Sequence, residues 1–139
     1  MIKLHWNQIN FKEGYLILDN RSYLTKSKKI RTIPLSLKAL QVLTERQIGS
    51  KSDFVFTYNR KQINPTYLSK LFKDYIKISK LNTKLNFHSL RHTFASWLVQ
   101  KGVSIYEVSK LLGHSDIKVT EIYAHLKPDN LRKAVELLN

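Results

Sequence analysis

The feature that most constrains the fold of this chain is a change in patterning at Ser36. Before it, short β-favouring apolar segments alternate with polar connections, at Gln8 to Asn10, Tyr15 to Leu18 and Ile30 to Pro34. These segments predict a small antiparallel sheet. From Ser36 onward, apolar residues recur at helical spacing. We therefore expect an α+β fold that is mainly α-helical, with the sheet near the N-terminus followed by a helical bundle.

Cap residues mark where the main helices begin. Asn64 and Pro65, a cap residue followed by proline at the first helical position, begin one helix. Another runs from about His88 to Lys101. The next starts at a capping box formed by Ser104 and Glu107. Upstream of these helices, the apolar run 54–56 is a candidate edge strand.

The C-terminal residues are predicted to form further short helices. The helix that starts at Ser104 ends at Gly113. Ser115 or Asp116 is positioned to cap a helix that contains Tyr123, and Pro128 opens the last helix. A chain of 139 residues has the size of one ordinary domain, so residues 1–139 are expected to form a single domain.

The charge balance indicates a polyanionic partner. The chain has 24 Lys and Arg residues against 10 Asp and Glu, a formal charge of +14. Nucleic acid is the favoured partner and an anionic membrane surface is second, while a solvated basic surface without such a partner is the plain alternative. The basic residues Lys70, Lys73, Lys77 and Lys80 form one face of the helix from Asn64, where they either contact a DNA backbone or are simply solvated.

Other features narrow the cellular setting. No run approaches eighteen uninterrupted apolar residues, and the N-terminus lacks the apolar core of a secretion signal. We therefore expect a cytoplasmic protein with no membrane partner. With no cysteine, the chain has neither disulfides nor cysteine-based zinc sites.

The helix from about His88 carries two kinds of residue on different faces. One sector is predicted to face the core and holds the bulky apolar residues Phe87, Leu90, Phe94, Trp97 and Leu98. His88 and Arg91 share another sector with the small Ala95, so both side chains can reach one ligand. Arginine offers a charged fork to two phosphate oxygens, and histidine donates a hydrogen bond or moves a proton near neutral pH. The pair therefore suits a phosphate.

Further residues with the same chemistry follow at short range. His114 stands in L-L-G-H, and Tyr123 stands in T-E-I-Y-A-H. The segment 88–126, HSLRHTFASWLVQKGVSIYEVSKLLGHSDIKVTEIYAHL, closely resembles the tyrosine recombinases, also called the phage integrase family. The resemblance extends to LTKSKKIRTIPL, residues 24–35, where that family has a β-hairpin with a catalytic lysine. Lys26 is the position that corresponds, with Lys28 and Lys29 as neighbouring alternatives.

The resemblance implies site-specific DNA recombination or integration through a 3′-phosphotyrosyl intermediate. Tyr123 would be the nucleophile, and Arg91 and His114 would bind the non-bridging oxygens. His88 would handle the proton of the tyrosine, and Lys26 would protonate the leaving 5′-oxygen. No metal and no cofactor is implied, since cationic side chains supply the charge that magnesium supplies in two-metal nucleases.

In this family, a first catalytic arginine precedes a segment like IKLHW, which here follows Met1. That arginine and the family's separate N-terminal domain would lie upstream of this sequence. Residues 1–139 are accordingly expected to be a catalytic domain that cleaves poorly or not at all on its own, because one lost electrostatic donor costs roughly 3 to 4 kcal/mol. Arg21 is not a substitute, since it lies on the other side of Trp6 in the pattern.

The resemblance also implies partners. Double-stranded DNA is the expected substrate, in the cytoplasm of a prokaryotic host and associated with its nucleoid. The apolar stripe of the last helix, Leu131, Val135 and Leu138, suggests packing against a neighbouring protomer. We expect a tetramer on synapsed DNA and a monomer or weak oligomer without DNA.

Two alternatives come from other classes of protein. In a zinc hydrolase, His88 and His92 would be ligands at i and i+4, with His114 or His125 as the third, but the motif lacks the glutamate of H-E-x-x-H. If no metal is bound, His92 is interpreted as a structural residue or as one that supports the catalytic side chains from behind. In the second alternative, the chain is an inactive integrase fragment that binds DNA or protein without cutting.

Overall fold

A computed structural model of the chain describes residues 3–19, 30–59, 61–127, 135, 136 and 138. The chain divides into two compact units, Met1–Leu81 and Asn82–Asn139. The first holds a small antiparallel sheet with two long helices, and the second is helical. This architecture confirms the predicted α+β class with a small N-terminal sheet and mainly helical content.

The sheet of the first unit has three antiparallel strands, β1 (Ile9–Asn10), β2 (Tyr15–Leu18) and β3 (Arg31–Pro34). Its register pairs Leu16 with Ile9 on one side and with Ile33 on the other. All three strands lie where the sequence predicts them. The buried apolar core beneath them consists of Leu4, Ile9, Leu16 and Val55.

After the sheet come α1 (Leu37–Gln47), β4 (Thr57–Tyr58) and β5 (Lys61–Gln62), the last two forming a separate hairpin. The prediction of a strand at residues 54–56 is wrong. Phe54 makes only an isolated bridge to His5. The Val55 N–H donates to the Leu4 carbonyl at 2.8 Å as part of this bridge, but its carbonyl accepts from Arg46 Nε at 2.7 Å rather than from a strand.

The helix α2 (Pro65–Ile78) begins as predicted, because the Asn64 side chain accepts the backbone N–H of Thr66 and proline occupies the first turn. Its apolar residues are only partly buried, since Ile76 is buried but the neighbouring Tyr75 is exposed. The four lysines of the predicted basic face are not all exposed on one side of α2. Lys70 and Lys77 are exposed, but Lys73 is half-buried and Lys80 lies beyond the end of the helix.

The second unit contains α3 (Phe87–Gln100), α4 (Ile105–Leu112) and α5 (Lys118–Glu121), followed by a 3-10 turn at Ala124–Leu126. Capping at Ser104 and the helix end at Gly113 are confirmed, with Ser104 Oγ accepting the Glu107 N–H and Gly113 in the left-handed conformation. The core of this unit consists of the buried residues Ala95, Val99, Val108, Leu112 and Tyr123.

The predicted core face of α3 is wrong in large part. Leu98 is half-buried, but Phe87, Leu90, Phe94 and Trp97 are all more than two-fifths exposed. The buried face carries Ala95 and Val99 instead. A small side chain lets α3 pack closely against its neighbours within the unit. Helical spacing shows where bulky apolar residues cluster, but it does not show which face packs closely.

The prediction that Tyr123 lies within a helix is also wrong. The helix α5 ends at Glu121, and Tyr123 stands between it and the 3-10 turn. Asp116 does serve the start of this segment, because its carboxylate accepts the Lys118 N–H at 2.9 Å. Of the predicted last helix, Pro128 and Leu131 lie outside the described residues. Val135 and Leu138, also from that stripe, are exposed.

Within the described ranges, no helix is both long enough and apolar enough to cross a membrane.

Candidate active site

Arg91 links two helices of the second unit. Its side chain is half-buried on α3, and Nη2 donates a 2.7 Å hydrogen bond to the carbonyl of Leu112, the last residue of α4. The carbonyls at the C-terminal end of a helix are without intrahelical partners and carry partial negative charge, so they suit a guanidinium. This bond uses one of the five N–H donors of the guanidinium.

His88 occupies the first turn of α3, where Asn86 fixes the backbone. The Asn86 side chain accepts the N–H groups of His88 and Ser89 at 2.8 and 3.2 Å, and Ser89 completes a capping box in return. His88 is exposed. Its ring meets that of His92, one turn along, edge to face at a centroid distance of 4.9 Å.

His114 follows the end of α4 directly. Gly113 has a φ of 73°, a left-handed conformation that glycine adopts without a steric penalty. The chain turns there, and the N–H of His114 donates to the carbonyl of Ser109 at 3.1 Å. The ring of His114 is then held by Nδ1, which lies 2.8 Å from Oγ1 of the fully buried Thr120.

Tyr123 belongs to the core of the unit, with only 7% of its surface exposed. Its backbone is held on both sides, since its N–H donates to Thr120 and its carbonyl accepts from Leu126. The hydroxyl lies 2.5 Å from Nδ1 of His92, and among the described residues it has no other hydrogen-bond partner. A phenol held in one orientation beside a ring nitrogen has the arrangement that a tyrosine nucleophile requires.

The structure thus brings four of the five predicted site residues into one unit, namely His88, Arg91, His114 and Tyr123. The fifth, Lys26, lies outside the described residues, as do its alternatives Lys28 and Lys29 and the nearby Arg21. Sequence reasoning missed the contact of His92 with the tyrosine. The available signal was its position one turn after His88, which was considered only as a spacing for zinc ligands.

The zinc alternative finds no support in this arrangement. Within the ranges the structure describes, no three histidine or carboxylate side chains lie close enough together to hold a metal ion. His88 and His92 do approach each other, but the Nδ1 atoms of His92 and His114 face hydroxyl groups.

Comparison with known proteins gives the class. Residues 1–130 match the sequence model of the phage integrase family, so the chain belongs to that family. A tyrosine recombinase from Thermosipho africanus is 31% identical over 139 residues, which cover 99% of this chain and 48% of that protein. The chain spans about half the length of the curated relatives it matches.

Solved structures agree. The catalytic domain of bacteriophage HP1 integrase is 30% identical and superposes with a TM-score of 0.68, covering 96% of this chain and 69% of that one. The XerH site-specific recombinase bound to its palindromic difH substrate, in a post-cleavage complex, shares the fold with a TM-score of 0.73 and 24% identity. That match covers 99% of this chain and 40% of the XerH chain.

Proposed function

We propose that this chain carries the chemistry of site-specific DNA recombination, cleaving and rejoining strands through a 3′-phosphotyrosyl intermediate. The observation that carries the proposal is the placement of the Tyr123 hydroxyl 2.5 Å from the side chain of His92 on α3, the helix that also bears Arg91 and His88. A buried, oriented phenol in contact with an imidazole, on a helix that also carries a guanidinium, is suited to attack on a phosphodiester.

In the proposed reaction, Tyr123 Oη bonds to phosphorus and the 5′-oxygen of the DNA departs. The phosphodiester energy is retained in the phosphotyrosine, so a 5′-hydroxyl from another strand can attack it and expel the tyrosine. Cleavage and rejoining are therefore the same step run in opposite directions, and neither direction needs ATP.

Arg91 and His114 are proposed to bind the non-bridging oxygens. The Leu112 carbonyl anchors the guanidinium of Arg91 and leaves it further N–H groups for phosphate. Thr120 anchors Nδ1 of His114, so Nε2 is the ring nitrogen to offer to the phosphate. Lys26 is proposed to protonate the leaving 5′-oxygen. The sequence pattern favours His88 as the residue that accepts the tyrosyl proton.

We propose double-stranded DNA as the substrate, because a charge of +14 suits a polyanion and the XerH site-specific recombinase, which has this fold, is bound to its palindromic difH substrate. Both units would belong to one catalytic domain, since the family match spans them. The enzyme would act at the nucleoid of a prokaryotic host, as a tetramer on synapsed DNA. Sedimentation with and without DNA, on chains with and without residues 128–139, tests that assembly.

The test of the reaction is a covalent-trapping experiment. The protein in its natural full length is incubated with a pool of nicked DNA duplexes, in which the short strand released by cleavage diffuses away and leaves the covalent product. We expect a protease-sensitive protein–DNA adduct on a denaturing gel, and sequencing the trapped DNA identifies the target.

Two tyrosine variants test whether Tyr123 is the residue that forms the adduct. Tyr123→Phe should abolish the adduct, whereas Tyr106→Phe, which changes an exposed tyrosine on α4, should leave it intact. An adduct that survives in Tyr123→Phe rules out this nucleophile. Salt-sensitive DNA binding without any adduct from the unmodified protein would favour the binding-only alternative.

A further inference from the structure

The contact between His92 and Tyr123 assigns the tyrosyl proton to a histidine other than the one that the sequence pattern favours. His92 Nδ1 lies 2.5 Å from Tyr123 Oη, within direct proton-transfer range. His88 instead presents its ring to His92, edge to face. Among the described residues, only His92 is therefore within hydrogen-bond distance of the hydroxyl, and the His88 ring packs against that of His92.

The direction of this hydrogen bond depends on which nitrogen of His92 carries the ring proton. A protonated phenol donates and a neutral imidazole accepts at its unprotonated nitrogen. With the ring proton on Nε2, the Tyr123 hydroxyl donates to Nδ1. This is the arrangement that a general base requires before an attack begins.

The same ring also has access to water. His92 lines a solvent-open groove of about 420 Å³ along α3, together with the polar side chains of Ser89, Thr93, Ser96 and Gln100. A proton taken up at Nδ1 can be balanced by loss of the Nε2 proton to water in this groove. His92 thus stands between a buried hydroxyl and solvent.

We propose that His92 is the general base that deprotonates Tyr123 during cleavage and the general acid that reprotonates it during rejoining. In cleavage, the Oη–P bond forms, the P–O5′ bond breaks, and the tyrosyl proton moves to His92 Nδ1, while the 5′-oxygen takes its proton from a separate acid. Rejoining reverses each transfer. His88 becomes a positioning residue that holds the His92 ring. The inference rests on the proposed function.

The deciding variants are His92→Asn and His92→Phe, assayed for single-turnover formation of the covalent adduct. The asparagine amide can still hydrogen-bond the tyrosine but cannot accept its proton, whereas phenylalanine does neither. Both variants should cleave on the order of 10²-fold to 10⁴-fold more slowly. His125→Asn, at an exposed histidine of the same unit, is the matched control and should cleave at the normal rate.

Replacing Tyr123 by a fluorinated tyrosine, whose phenol is more acidic, should restore most of the rate in His92→Asn, because a more acidic nucleophile depends less on a base. A His92→Asn rate within threefold of normal overturns the proposal. The proposal is also overturned if His88→Asn, and not His92→Asn, slows adduct formation and is rescued by the fluorinated tyrosine. Lack of adduct from the unmodified protein refutes the proposed function itself.

The hydrogen bond can be checked separately from catalysis. In the intact protein, the ¹⁵N chemical shift of His92 Nδ1 should change in Tyr123→Phe, and that of His125 should not. An unchanged His92 signal contradicts the contact on which the inference depends.

Discussion

Thr120 has no exposed surface, and its hydroxyl lies 2.8 Å from His114 Nδ1. Replacing Thr120 by valine keeps the shape of the side chain but leaves the imidazole nitrogen without this partner. We expect Thr120→Val to destabilise the fold by about 1 kcal/mol and to slow adduct formation, because His114 loses the contact that orients it. Thermal unfolding and single-turnover cleavage measure the two effects.

Thr120→Ser is the matched variant, since it keeps the hydroxyl and removes a buried methyl group. It should also cost about 1 kcal/mol in stability but retain most of the cleavage rate. Equal cleavage rates for the serine and valine variants at matched stability would show that the hydroxyl does not position His114.

At the residue scale, the sequence predicted which residue types occur together, but it did not predict which atoms they contact. The types and spacing of His88, Arg91, His114 and Tyr123 already indicate phosphate chemistry. Two of these side chains have partners distant in sequence, 31 positions for Tyr123 and His92 and 21 for Arg91 and the Leu112 carbonyl. Such contacts depend on how α3 rotates against its neighbours, and local spacing does not determine that rotation.

The helix α4 shows which element-level features were predictable. Its capping box is local, because Ser104 accepts the Glu107 N–H and Glu107 accepts both the N–H and the hydroxyl of Ser104. The core face of α3 was mispredicted because burial of Ala95 and Val99 depends on close packing with other parts of the unit. Features within one turn of chain were predictable, and the packed face was not.

Removing the cap should weaken α4 measurably. Ser104→Ala deprives the Glu107 N–H of its acceptor, and we expect a loss of about 1 kcal/mol in unfolding free energy. The measurement is urea denaturation followed by circular dichroism, with Ser115→Ala, at an exposed serine of the same unit outside the helices, as the control. A loss no greater than that of the control would mean that the cap contributes nothing.

The capping box should also give a pH signature. The hydrogen bonds from Ser104 lower the pKa of Glu107 below its ordinary value, since they favour the carboxylate. A carboxyl group whose pKa is lower in the folded state stabilises the fold above its unfolded-state pKa, and this stabilisation is lost as pH falls through the folded-state pKa. Relative to Glu107→Gln, the protein should have a higher Tm at pH 7. The difference should shrink as the pH falls below the ordinary glutamate pKa of about 4.3, and a constant difference would contradict the assignment.

For the molecule as a whole, the charge of +14 predicts how DNA affinity responds to salt. Each phosphate neutralised by Lys or Arg releases counterions, so a protein with six to ten such contacts loses roughly 10³-fold to 10⁵-fold in affinity between 50 and 200 mM salt. We expect a loss in this range, measured by fluorescence anisotropy with a labelled duplex. An affinity that does not change with salt would contradict an electrostatic DNA interface.

Single-charge variants then locate that interface. Tyr123→Phe removes no charge, so its salt dependence should match that of the unmodified protein. Lys70 and Lys77, exposed on α2, are the informative positions. If this face contacts the DNA backbone, Lys70→Ala and Lys77→Ala should each reduce the slope of log affinity against log salt by about 1. An unchanged slope would show that the α2 lysines are only solvated surface and that other basic residues of the chain form the DNA interface.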